Sequence, residues 1–174
     1  MIVNDCLNYL YTNLKFALLK KFSLISVLVL TIIGFPGCTK NKSCKLKSVD
    51  SEAPQIQAFA AANGINATRH SSGLYYEIIS QGAGATANSN SKIIITYTGK
   101  FMNGQIFDEQ LTPNTTSWAL TGLIQGWVIG IPLIQEGGHI KLIVPSSLAY
   151  GCDQYYSIPG SSVLFFDINL IDVQ

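Results

Sequence analysis

The sequence predicts an α+β domain in which an antiparallel sheet of about five strands packs on one short α-helix. Three observations support this prediction. Runs of β-branched and aromatic residues follow one another from Gly73 onward, glycine-containing turns separate them, and a single short helical segment interrupts them late in the chain. With 174 residues, the chain is long enough for one such domain and some additional segments.

Four segments of this domain are predicted to be strands because β-branched and aromatic residues dominate them, with clear apolar alternation in the third. They are Leu74–Ile79, Lys92–Thr98, His139–Pro145 and Val163–Val173. Turns are predicted at the glycine-containing stretches 82–84, 102–105 and 136–138. Short turns of this kind join antiparallel neighbours.

A short N-terminal helix is predicted to precede the sheet, from Asp50 to Asn63, with Ser51 as its cap. Three apolar residues share one face of it: Ile56, Phe59 and Ala60. Because a helix of this length is marginal alone, we expect it to dock on the domain. The helix inside the domain is predicted from Gly126 to Leu133, and Pro132 keeps it short. Residues 51–72 are therefore read as a short helix and linker, and residues 73–174 as the domain.

The charge and the Cys/His pattern of the chain argue against nucleic-acid, metal and cofactor binding. Charged residues make up 12% of the chain, against roughly 25% in an ordinary soluble domain, and the formal net charge is only +1. Such a chain has no phosphate-neutralising surface, so we expect no nucleic-acid partner. Its two histidines are isolated and no Cys-X-X-Cys pair occurs, so we expect no metal site and no cofactor.

Residues 1–37 are predicted to be a signal peptide. Lys15, Lys20 and Lys21 precede an uncharged run from Phe22 to Gly37. A positive flank followed by about 7–15 apolar residues is typical of secretory signals, whereas a membrane-spanning helix needs about 20. The alternative is a buried core helix, and the absence of a polar face argues against it.

The run ends in Phe35-Pro36-Gly37-Cys38, which resembles the bacterial lipobox. The resemblance implies that Cys38 is lipidated and anchors the chain to a membrane of the bacterial cell envelope, facing the periplasm. Ordinary cleavage, which would release a soluble protein, stays open. Residues 38–50 are predicted to form a flexible basic tether. Cys44 lies in it, and whether Cys44 pairs with Cys152 also stays open.

A series of short motifs runs through the predicted domain. They are Tyr97-Thr98-Gly99, Asn103 to Asp108, Leu123 to Trp127, Glu136 to Gly138, Ile143 to Pro145, Ala149 to Gly151, Ile158-Pro159 and Leu164 to Phe166. In this order and spacing they resemble FKBP-type peptidyl-prolyl cis-trans isomerases, and with the leader they are similar to the lipoprotein form of that family. The resemblance implies a strongly bent sheet half-wrapped around the short helix, with an apolar pocket between them.

The resemblance also implies which residues act. The catalytic set is Tyr97, Phe107, Asp108, Ile124, Trp127, Tyr150 and Phe166, and the further substrate-binding residues are Trp118, Leu123 and Ile158. Trp127 would form the floor beneath a prolyl ring, while the Ile124 N–H and the Tyr150 hydroxyl would bind substrate carbonyls. Asp108 would orient Tyr97 without transferring a proton.

The function implied is rotation of X-Pro bonds in exported proteins. Its partners would be proline-containing polypeptides and macrolide inhibitors, and the chain would act as a monomer. Two alternatives stay open. One is a non-catalytic chaperone or peptide-binding lipoprotein that uses the same groove, and the other is a purely structural lipoprotein.

Overall fold

The structure is a computed structural model, and it describes residues 44–113 and 116–174. The predicted signal peptide (1–37), the lipidation site Cys38 and the first part of the predicted tether lie outside the described residues. Within those ranges, no helix is long and apolar enough to cross a membrane.

Two α-helices and seven strands make up the described chain, together with three short 3-10 turns. In chain order the elements are α1 (Val49–Ala62), β1 (Thr68–Arg69), β2 (Tyr75–Ser80), β3 (Lys92–Phe101), β4 (Ile106–Gln110), β5 (Trp118–Ala119), α2 (Gln125–Gly130), β6 (His139–Val144) and β7 (Leu164–Val173). The 3-10 turns are Leu120–Gly122, Ile131–Leu133 and Ser146–Leu148. The predicted α+β class is confirmed.

All strand pairs of the sheet are antiparallel, in the order β1-β2-β6-β7-β3-β4, and β5 pairs with β3. The five longer strands match the expected number, and the additional two are only two residues long. Such short pairs lack the run of alternating residues from which a strand is predicted. The pairing register shifts twice along β3, after Ile94 and after Gly99, and bulges of this kind bend and twist a sheet.

Alternation along the central strands gives the sheet two apolar faces. On the inner face, Leu142 of β6 and Phe166 of β7 belong to a large buried cluster that includes Trp127 and Ile131. On the outer face, Phe165 joins a smaller cluster with residues of α1. Helix α1 therefore covers one side of the sheet, and α2 lies on the other.

The N-terminal helix forms as expected but begins earlier, at Val49. Its cap is Ser48, whose Oγ accepts a hydrogen bond from the Ser51 N–H at 3.2 Å. The prediction that Ser51 is the cap is therefore wrong, because Ser51 is already inside the first turn. The apolar face is as predicted, with Ile56, Phe59 and Ala60 buried against the sheet.

A disulfide joins Cys44 to Cys152, across 108 positions of the sequence. The sequence left this pairing open because Cys44 lies in a polar segment with no periodicity. In the fold the two Cα atoms are 5.5 Å apart, within the range that a disulfide spans. The bond ties the segment before α1 to the loop that follows β6.

Candidate active site

A cavity of about 220 Å³ opens between the inner face of the sheet and α2. The residues around it are mostly aromatic or aliphatic, with one carboxylate: Tyr97, Phe107, Asp108, Trp118, Gly122, Leu123, Ile124, Trp127, Tyr150, Tyr155 and Phe166. The fold thus brings nine of the ten sequence-predicted site residues to one cavity. Ile158 instead lies in the buried core and lines a neighbouring cavity of about 190 Å³.

The floor of the cavity depends on a close contact between α2 and strand β6. A Cβ atom at Gly126 would lie 2.4 Å from Val144 Cγ1, and one at Gly130 would lie 2.7 Å from Leu142 Cδ1. Because these glycines are four residues apart, both face the strand and let the helix backbone approach it. This approach places Trp127, which is only 4% exposed, at the bottom of the cavity.

Aromatic rings surround Trp127 in edge-to-face geometry. The centroid of its ring system is 5.0 Å from that of Tyr97 and 5.1 Å from that of Phe166. Phe107 completes the wall, 5.7 Å from Phe166. It fits there because Gly99 has no side chain: a Cβ at that position would be 2.8 Å from Phe107 Cζ. Edge-to-face pairs hold rings in defined orientations, so the cavity has fixed walls.

The residues that line the cavity carry three tyrosine hydroxyls, two indole N–H groups and one carboxylate. The Tyr97 hydroxyl donates a hydrogen bond of 2.5 Å to Asp108 Oδ2, across the β3–β4 pair. Burial raises the pKa of Tyr97, and the hydrogen bond to Asp108 raises it further. Tyr97 therefore stays a neutral hydrogen-bond donor at physiological pH, and its orientation is set by Asp108.

Tyr150 also lines the cavity and lies in the loop after β6. Burial raises its pKa, with smaller contributions from Tyr155 and Asp108. Its ring stacks on Tyr155 with centroids 4.3 Å apart and planes tilted by 10°. Tyr155 is absent from the sequence-predicted site. Its closeness to Tyr150 in the sequence could have suggested that it lines the cavity. In a loop without periodicity, however, the sequence does not predict which way a side chain points.

Ile124 stands at the N-terminal boundary of α2, and Trp127 N–H and Val128 N–H both donate to its carbonyl. The N–H groups at this end of a helix are not used by the helix itself. In the described residues, the cavity combines this helix end with neutral hydroxyls and aromatic walls, without a nucleophile–base pair. The His139–Asp167 pair links β6 and β7 and is not among the residues that line the cavity. Such a site suits binding and reorientation of an apolar group better than covalent chemistry.

Comparison with known proteins agrees with this geometry. The sequence profile of the FKBP-type peptidyl-prolyl cis-trans isomerases matches residues 84–171. The chain belongs to this family. One similar protein is the FKBP-type peptidyl-prolyl cis-trans isomerase FkpA of Escherichia coli K12. It is 35% identical over 119 residues, which cover 68% of this chain and 43% of the length of FkpA. A probable FKBP-type isomerase of Haemophilus influenzae is 35% identical over 130 residues, covering 73% and 53%.

Solved FKBP structures share the fold. The crystal structure of FkpA from Escherichia coli superposes with a TM-score of 0.64 at 32% identity, covering 72% of this chain and 60% of that one. The structure of AtFKBP13 superposes with a TM-score of 0.58 at 30% identity, covering 63% and 99%. This FKBP chain spans about half the length of the curated relatives that it matches. The profile match contains every residue that lines the cavity and none of α1.

Proposed function

We propose that this FKBP chain is a peptidyl-prolyl cis-trans isomerase that assists the folding of exported proteins in the bacterial cell envelope. The observation that carries the proposal is the aromatic cavity above Trp127, which is enclosed by Tyr97, Phe107 and Phe166. Its size and apolar walls suit a prolyl ring, and proline-containing polypeptides are accordingly the proposed substrates.

The chemistry explains why such a cavity is sufficient. An X-Pro bond rotates over a barrier of about 18–20 kcal/mol because the planar amide is stabilised by resonance. The twisted transition state has lost that resonance and carries less charge separation than the ground state. A cavity with aromatic walls therefore binds the twisted form better than water does, which lowers the barrier by differential binding. The reaction is a rotation, and no covalent bond is made or broken.

Individual residues have separate parts in this proposal. Trp127 supports the prolyl ring, and the walls exclude water from it. The Ile124 N–H and the Tyr150 hydroxyl donate hydrogen bonds to carbonyl groups on either side of the reacting bond. Asp108 accepts a hydrogen bond from the Tyr97 hydroxyl and so orients that ring. No proton is transferred between them. Trp118 and Leu123 contact substrate residues that flank the proline, and Ile158 does so from the neighbouring cavity.

A protease-coupled assay on a proline-containing tetrapeptide tests the activity. We expect the chain to accelerate isomerisation, and expect Trp127→Ala and Phe107→Ala to lower kcat/KM by at least about tenfold, the equivalent of about 1.4 kcal/mol. Phe165→Ala is the control, because this ring lies on the other face of the sheet. Equal rates for wild type and both cavity variants would refute the enzymatic proposal.

The alternative is a module that binds chains in the same cavity without isomerising them. It would suppress aggregation of a proline-free client protein while the tetrapeptide assay stayed at the uncatalysed rate. A macrolide inhibitor, which we expect to compete for the cavity, would then displace the client without any effect on isomerisation. A structural lipoprotein would bind neither peptide nor macrolide.

We propose further that Cys38 is lipidated and that the chain functions as a membrane-anchored monomer facing the periplasm. The support is the basic flank, the apolar run and the lipobox-like sequence of the leader. Several acyl chains on one cysteine would hold the domain on a membrane. Mass spectrometry of the mature N-terminus tests this, and an unmodified Cys38 or cleavage elsewhere would contradict it.

A further inference from the structure

Glu52 is a charged residue buried in the interior, which is unusual because carboxylates are rarely buried unless they are paired. It lies in the first turn of α1 and is only 2% exposed. Its Oε2 accepts a hydrogen bond from the Ser146 N–H at 2.9 Å, and its Oε1 accepts one from the Ser146 hydroxyl at 2.7 Å. Ser146 is 1% exposed. Two hydrogen bonds thus join positions that are 94 residues apart.

Ser146 in turn holds the loop that carries Tyr150. Its carbonyl accepts hydrogen bonds from the N–H groups of Ala149 and Gly151, at 3.1 and 2.8 Å. These two residues flank Tyr150 in the chain, so the position of Ser146 determines the backbone on both sides of that tyrosine. Tyr150 then stacks on Tyr155, and both rings line the cavity.

Two further contacts join the segment before α1 to the same loop. Cys152, two residues after Tyr150, is bonded to Cys44. Leu46 lies over Gly151, since a Cβ there would be 3.3 Å from Leu46 Cδ2. We name Cys44, Leu46 and Glu52 the N-terminal clamp. All three members precede residue 84, where the family profile begins to match.

We propose that the N-terminal clamp sets the position of Tyr150 and Tyr155 in the cavity wall, and that Glu52 is the positioning residue of this FKBP chain, acting through Ser146. The proposal rests on the proposed prolyl isomerase function. A carboxylate suits the task because it accepts both hydrogen bonds at once, and hydrogen bonds to a charged acceptor are stronger than neutral ones. The isomerase domain is thereby coupled to a segment outside it.

The consequence is a defined kinetic effect. The Tyr150 hydroxyl meets the substrate carbonyl in the ground state and in the transition state alike. Losing its correct position therefore removes uniform binding, which raises KM and leaves kcat nearly unchanged. Simple destabilisation would act in the opposite way, because a smaller folded fraction lowers the apparent kcat at constant KM.

Glu52→Gln is the informative substitution, since an amide keeps the size of the side chain but replaces one acceptor oxygen with a donor. We expect KM for the proline tetrapeptide to rise about fivefold with kcat within about twofold of wild type. Asp50→Asn is the matched control: it is the same chemical change in the same helix turn, at an exposed carboxylate paired with Arg69. We expect it to leave both parameters unchanged.

Two readouts separate this proposal from the proposed function. The dissociation constant of the tetrapeptide, from Trp fluorescence, should rise with KM, and the NMR cross-peaks between the Tyr150 and Tyr155 rings should weaken in Glu52→Gln. Neither readout needs turnover. An inactive wild type would therefore refute the isomerase, while the clamp would still be judged by the cross-peaks. Wild-type values of KM, peptide affinity and cross-peaks in folded Glu52→Gln would overturn the clamp.

Two milder changes keep the proposal testable if Glu52→Gln fails to fold. Ser146→Ala removes the hydroxyl partner and retains the backbone hydrogen bond, so we expect the same shift in KM at about half the size on a logarithmic scale. The double variant Cys44→Ser/Cys152→Ser removes the covalent contact, and we expect KM to rise again at constant kcat. Wild-type KM and cross-peaks in both would overturn the proposal.

Discussion

The two faces of the central sheet differ in what they bury, and neighbouring phenylalanines show the difference. Phe165 and Phe166 follow one another in β7 and are 6% and 3% exposed. Phe165 packs on Phe59 of α1, with ring centroids 5.4 Å apart, in an apolar cluster covered by that helix. Phe166 packs on Trp127 and Phe107 and lines the cavity. The two rings are both almost completely buried, but the residues around them differ.

Both faces carry cavities, but their linings differ. The cavity on the inner face has seven aromatic residues around it, whereas the two cavities beside the outer cluster, of about 470 and 220 Å³, have one and two and are otherwise lined by aliphatic, small and polar residues. Space on the inner face is possible because the cavity walls are held by edge-to-face ring pairs and by hydrogen bonds such as that of Tyr97 to Asp108. Strand alternation thus places a ring of the candidate site and a ring of the supporting cluster at neighbouring positions of one strand. The effect of a substitution therefore depends on the face on which it lies, more than on how deeply it is buried.

The largest expected difference is between Phe166→Leu and Phe165→Leu. Both should lower the free energy of unfolding by about 1 kcal/mol, since leucine keeps much of the volume of the ring. Only Phe166→Leu should also weaken tetrapeptide affinity, by about tenfold, because it removes one wall of the cavity. Chemical denaturation and fluorescence titration of the two variants measure this. Equal losses of affinity would mean that the two faces are not independent.

A smaller effect is expected for Tyr97→Phe, which keeps the ring and removes the hydrogen bond to Asp108. The aromatic wall should remain, so the free energy of unfolding should fall by about 1 kcal/mol or less. Isomerase kcat/KM should fall by about threefold to tenfold, because Asp108 no longer orients the ring at position 97 in the cavity wall. Tyr75→Phe is the matched control on the outer face. A loss of kcat/KM as large as that of Trp127→Ala would assign Tyr97 a more direct part.

The smallest effect is expected from pH. The pKa values of Tyr97 and Tyr150 are raised above the ordinary tyrosine value, so the folded chain holds both protons more tightly than the unfolded chain. Their contribution to stability is complete below about pH 10 and is lost as the pH rises from there to the raised folded values. Tetrapeptide affinity should therefore be constant between about pH 7 and pH 9.5.

Absorbance at 295 nm follows tyrosine ionisation directly. Tyr97 and Tyr150 should ionise above the ordinary tyrosine range, because their pKa values are raised, and Tyr97→Phe should remove one late step. A fall of affinity that is already complete near pH 10, the ordinary tyrosine pKa, would contradict this assignment.

Much of the fold could be predicted from the sequence because its elements have strong local signals. The alternation in His139–Pro145 predicts β6, and the apolar face of Ile56 and Phe59 predicts a docked helix. The ordered motifs around Tyr97, Trp127 and Phe166 predict the cavity. The cap at Ser48 was missed, since several serines near a helix start compete equally. Tyr155 was missed because loop side chains follow no period.

The sequence by itself determined the fold class, because periodicity is a property of the chain. It also indicated the cavity residues, through the resemblance of its ordered motifs to a known family. The tertiary structure decided which distant residues meet. It brought Cys44 to Cys152 and Glu52 to Ser146, and it stacked Tyr150 on Tyr155. These contacts join positions without any local pattern, and burial of a carboxylate even opposes the tendency of its residue type. The Glu52 carboxylate reaches Ser146 because α1 packs against the sheet.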